Sequence, residues 1–92
     1  MPSSARSFSP SPEVSWKWAN EEIVLLNLAR SRYLVFEGAA GRMWELLCAG
    51  KSAAEIGSAI LEEFETTDSV VERELDTFIS ELCADGWVVP NP

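Results

Sequence analysis

The sequence predicts an α+β fold of winged helix-turn-helix-like character, a three-stranded antiparallel sheet followed by three helices. Three observations predict it. Short apolar runs with strand periodicity fill residues 14–36, stripes with helical periodicity fill 43–83, and the turns between them are too short for crossovers. Ninety-two residues hold one domain and one core.

Residues 1–12 carry five serines and three prolines, with Phe8 the one large apolar group. That composition cannot bury a core, so residues 1–12 are expected to form a disordered tail and residues 13–89 the folded domain. In residues 13–19, Val14, Trp16 and Trp18 alternate with Ser15, Lys17 and Ala19, the period of a half-buried strand. Asn20, Glu21 and Glu22 make a turn. Residues 23–28 are almost continuously apolar, the pattern of a central strand covered on both faces. Residues 28–32 connect to a third strand over residues 33–36, an edge.

Gly38 and Gly41 bracket the start of a first helix whose stripe is Met43, Trp44, Leu46 and Leu47, with Gly50 as its stop. Ser52 and Glu55 have capping-box spacing, and Ile56, Ile60, Leu61 and Phe64 give the second helix its stripe. Asp68 is the expected N-cap of a third helix. There Val71, Leu75, Phe78 and Leu82 fall at i, i+4, i+7 and i+11, and Gly86 closes the helix.

The net charge is −8, and residues 45–92 hold eleven acidic side chains against two basic ones. Such a surface repels phosphate and anionic lipid, so neither nucleic acid nor membrane is expected as a partner. The third helix offers Arg73 against Glu72, Glu74, Asp76, Glu81 and Asp85, the opposite of a DNA-recognition helix. A winged-helix DNA-binding regulator is therefore the weaker alternative. No run approaches the roughly 20 apolar residues of a membrane span, and residues 1–12 lack a signal peptide's apolar centre, so a cytoplasmic protein is expected.

Catalysis is not expected. The chain has no histidine, which removes Ser-His and Cys-His nucleophile pairs and histidine-containing metal sites. Cys48 and Cys83 sit in helical patterns beside apolar residues and read as buried free thiols. No metal and no cofactor is expected.

The positive signal is the third strand. An open edge rich in β-branched and aromatic groups suits the addition of an extended peptide, and acidic neighbours favour a peptide carrying Lys or Arg. The alternative at this level is that strand and third helix merely build the core, or that the edge serves self-pairing.

Leu25-Leu26-Asn27, Arg32-Tyr33-Leu34, residues 41–47 (GRMWELL), Gly50-Lys51-Ser52 and the closing run from Leu82 to Trp87 together resemble the PqqD-like precursor-peptide recognition domains, over residues 13–89. The resemblance implies a stand-alone, non-catalytic element that holds the leader of a ribosomally made peptide as a strand added to the third strand, beside the third helix. Carried over by position, it implies a binding set of Arg32, Tyr33, Leu34, Val35 and Phe36 with Val71, Glu74, Leu75 and Phe78. Within the family, the small separate subunits of lasso-peptide pathways look most similar. Their implied partners are the precursor leader, a cysteine-protease leader peptidase and a cyclase acting afterwards. The chain departs from the pattern at Phe36-Glu37, where many members have Leu-Asn, and at Ala49-Gly50, where many have Asp-Gly. The branch acting as a chaperone in quinone-cofactor synthesis has Tyr-Pro-Glu-Gly in its hairpin. This chain has Asn27-Leu28-Ala29-Arg30, which places that pathway second.

Overall fold

The computed structural model describes residues 6–92. Its elements run β1 (Phe8–Pro10), β2 (Val14–Ala19), β3 (Glu22–Asn27), β4 (Arg32–Glu37), α1 (Gly38–Cys48), α2 (Ala53–Glu63), α3 (Asp68–Ala84) and β5 (Val88–Pro90). The main sheet is antiparallel with strand order β2-β3-β4, and three helices follow it, as the periodicities predict.

Short turns fix the register. Ala19 pairs with Glu22 across a two-residue loop in which Asn20 takes the left-handed conformation, φ 62°. Between β3 and β4 a 3-10 turn, Leu28–Arg30, is capped at its start by Asn27, whose Oδ1 accepts from the Arg30 N–H at 3.2 Å. That bond satisfies Asn27, one of two buried polar residues among those described. Asn27 then pairs with Arg32, and Glu22 with Glu37. Gly38, at φ +59°, turns the chain out of β4 and directly into α1, a conformation that an L side chain would strain.

One face of the sheet carries the core. Ile23 and Leu25 of β3 meet Met43, Trp44 and Leu47 of α1, and Ile56, Ile60, Val71, Leu75 and Leu82 of the later helices complete the cluster. The Trp44 ring is sealed among Trp16, edge-on with centroids 6.2 Å apart, and Phe36 at 6.0 Å. Its Nε1 has no hydrogen-bond partner among the described residues. The capping box of α2 is present as expected, with Ser52 and Glu55 exchanging hydrogen bonds of 2.8 and 3.2 Å. The N-cap of α3 is Thr67 rather than Asp68, which lies inside the first turn, where its charge suits the helix dipole.

Two expectations are corrected. The tail does not extend through residue 12: Phe8–Pro10 pair antiparallel with Val88–Pro90, and Phe8 is buried. The bonds Ser9 Oγ to Asn91 Oδ1 (2.6 Å), Ser11 Oγ to the Gly86 carbonyl (2.6 Å) and Ser11 N–H to the Trp87 carbonyl (2.9 Å) use the serines as fasteners. Composition understated this segment because one well-placed aromatic and a distant backbone partner suffice to order it. Residues 1–5 of the expected tail lie outside the described residues. The second correction concerns β3, whose Val24 and Leu26 are only half-buried. Helices cover one face of the sheet, and the other stays open.

Replacing Phe8 with alanine is expected to cost about 3 kcal/mol through the lost burial and the cavity left under β1. Urea denaturation monitored by tryptophan fluorescence checks it; a loss below about 1 kcal/mol would return the segment to the status of a tail.

Candidate functional site

The candidate site is the free side of β4 and the flank of α3 beside it. Strand β4 pairs with β3 on one side only, and no described strand pairs with the other. Side chains alternate along it. Leu34 and Phe36 point to the helices and are half-buried, whereas Tyr33 (72% exposed) and Val35 (41%) stand on the open outer face. The Phe36 ring lies 5.0 Å from that of Phe78 on α3, so the two rings floor the angle between strand edge and helix.

Arg32 closes one end. Its guanidinium sits over the Trp87 ring at 5.7 Å and its Nη2 lies 3.7 Å from Asp85 Oδ2. Both side chains of the pair are about half exposed, so the ion pair contributes at most about 1 kcal/mol. Its value is positional, since it ties the first residue of β4 to the end of α3.

Of the residues nominated from sequence, the structure brings Arg32, Leu34, Phe36 and Phe78 to this angle. Glu74, four residues before Phe78, is exposed on the same flank of α3. Tyr33 and Val35 belong to the same strand but to its other face. Val71 and Leu75 are buried toward α2: a Cβ at Gly57 would meet them at 3.6 and 3.8 Å. They act as packing for α3, not as lining of the β4 edge. Asp85 and Trp87, which hold Arg32, lie outside the set nominated from sequence. The sequence signal for them was only a helix stop at Gly86, with φ +80°.

At the β2 edge of the sheet Arg42 joins three elements. It donates to Glu63 through Nε (2.8 Å) and Nη2 (3.1 Å), and to Glu45 through Nη1 (3.3 Å), while Glu45 also accepts from Trp18 Nε1 (3.1 Å). The hydrogen bonds that Arg42 donates to Glu63 chiefly hold its pKa above the ordinary value. This network braces the open end of β2 against α1 and α2.

Both cysteines are free thiols, half-buried rather than fully buried as expected. Burial, helped by the Glu45 carboxylate, pushes Cys48 up from an ordinary 9.0 to about 11. Burial also raises Cys83, against a smaller opposing effect of Arg6. Iodoacetamide should therefore label Cys48 slowly at neutral pH in the folded protein and readily in urea; fast labelling without denaturant would contradict the burial. The raised value also stabilises the fold fully below pH 9.0 and is lost as pH rises from there through about 11. Among the described residues no group of three or more His, Cys, Asp or Glu is placed to hold a metal ion, and no helix is long and apolar enough to cross a membrane.

A small three-stranded sheet with an unpaired edge is thus backed by three helices, with the Phe36 and Phe78 rings beside that edge. The sequence profile of the family described as coenzyme PQQ synthesis protein D (PqqD) matches residues 22–88, and the chain belongs to that family. A solved structure described as TbiB1 in complex with the TbiA(beta) leader peptide superposes with a TM-score of 0.81 at 31% identity, covering 87% of this chain and 93% of that one. A second, described as lasso peptide synthetase B1 complexed with the leader peptide, gives a TM-score of 0.84 at 24% identity and covers 91% and 99%. The second likeness shows the fold alone. No curated protein sequence matches the chain.

Proposed function

We propose that this protein is a non-catalytic adaptor that captures the leader segment of a ribosomally synthesised precursor peptide and presents it to maturation enzymes. The leader adds as a strand to β4, with alternate side chains packing on Leu34, Phe36 and Phe78. The observation that carries this reading is the unpaired β4 edge lying beside an aromatic floor on α3. The leader complex of TbiB1, similar in fold and in sequence, supports it. Backbone pairing supplies affinity, and the pockets between alternate side chains supply register. Glu74 and Asp85 beside the groove favour a leader with Lys or Arg at those points.

On this reading the pathway is of lasso-peptide type, the next enzyme is a cysteine-protease leader peptidase followed by a cyclase, and the protein works in the cytoplasm. It supplies position rather than chemistry to those enzymes.

Titration of the protein with the leader encoded beside it tests the reading. Saturable binding is expected, weakened at least about tenfold when Tyr33 and Phe36 are both changed to serine, which corresponds to about 1.4 kcal/mol. No affinity, or the same affinity in the double variant with its fold intact, overturns it.

A further inference from the structure

Helix α3 borders a second surface feature besides the β4 edge. Between α2 and α3, away from β4, lies an open groove of about 740 Å³. Leu61, Leu75 and Ile79 form its apolar floor, and Phe8 of β1 stands among its lining residues. Asp68, Glu72 and Asp76, spaced one turn apart, form its rim along α3. Arg73 is the one cation among the lining residues, and Arg6 lies over the Phe8 ring beside them.

The two flanks of α3 are separate. Asp76 and Phe78 are two residues apart and project about 160° from each other around the helix axis. A peptide on the β4 edge therefore leaves this groove free.

An apolar floor with an acidic rim selects its occupant by chemistry. The floor accepts a stripe of Leu, Ile or Met side chains, and the rim repels any segment that is acidic along its edge. From Asp68 to Ile79 the α3 side of the groove spans about 16 Å, the length of about three turns of a helix. We infer that the α2–α3 groove docks a basic amphipathic helix of a partner protein, its apolar stripe on Leu61, Leu75 and Ile79 and its Lys or Arg residues against Asp68, Glu72 and Asp76. Helix-in-groove docking with charged flanks is an established mode of recognition, in which complementary charge sets orientation and on-rate. The adaptor would then hold two partners at once, on opposite flanks of one helix. This inference stands on the groove alone and does not depend on leader capture at β4.

The test uses the full chain, 15N-labelled, and a synthetic helical probe of about four turns, with leucines at i, i+3, i+4 and i+7 and lysines on both sides of the stripe. Three comparisons accompany it: a scrambled peptide of the same composition without the stripe, the protein variant Glu72→Lys/Asp76→Lys, and the groove-filling variant Ser58→Trp at an exposed position. Amide shifts are expected in residues 53–61 and 68–79, with β4 unmoved. Affinity is expected to fall at least about tenfold for the scrambled peptide and for either variant. Equal binding of the scrambled peptide would reduce the effect to general charge attraction and overturn the inference. Shifts centred on β4, or unchanged affinity in both variants, would overturn it as well.

Discussion

Changing Trp44 to alanine is expected to lower stability by about 3–5 kcal/mol, enough to unfold much of the population of a domain this small. Trp44 is fully buried and is the hub at which β2, β4 and α1 meet, through Trp16 and Phe36. Its removal leaves a cavity that neither strand can collapse into without losing register with β3. Chemical denaturation checks the size of the effect, and a cost under about 2 kcal/mol would show that the sheet and α1 adjust independently. The orphan indole N–H gives the conservative change a different expectation. Trp44→Phe removes an unsatisfied donor along with part of the ring, so its cost should be far smaller than that of alanine.

Phe78→Ala is expected to separate binding from folding. Phe78 is half-buried, and the contact that brings it to the site is with Phe36 at 5.0 Å. Truncation removes the α3 wall of the groove and leaves the β4 backbone edge in place. Leader affinity should fall about 10- to 100-fold, the worth of about 1.5–3 kcal/mol of apolar contact, with a smaller loss of stability than Trp44→Ala. Calorimetric titration alongside a melting curve reads both. If affinity holds while stability falls, Phe78 is packing for Phe36 and the leader touches the strand alone.

The architecture could be read from sequence because its signals are local. Residues 14–19 alternate strictly, Ser52 and Glu55 cap α2, and Gly50 and Gly86 stop helices, each within a few residues of the feature it controls. What escaped was set by distance or rotation. β1 exists because Phe8–Pro10 and Val88–Pro90 are brought together from distant parts of the chain, and no local periodicity records such a pairing. The apolar run of β3 fits burial on both faces, but no element follows that could cover the second face, so Val24 and Leu26 stay half-open.

The candidate site divides the same way. The strand half was readable, because a strand third in sequence after two hairpins is an edge. The helix half was not. Val71, Leu75, Phe78 and Leu82 form one stripe in sequence, and only the rotation of α3 decides which of them meets α2 and which meets β4. That rotation turns Val71 and Leu75 to Gly57 and leaves Phe78 to Phe36. It also exposes the acidic flank that borders the second groove.

The most direct measurement of the central claim is an isotope-filtered NMR experiment on the labelled protein with unlabelled leader peptide. Capture by strand addition predicts cross-strand contacts between leader Hα and amide protons and those of residues 32–37, with new exchange protection of β4 amides. Leader contacts confined to the outer sheet face or to the α2–α3 groove, with β4 amides still exchanging freely, would contradict it.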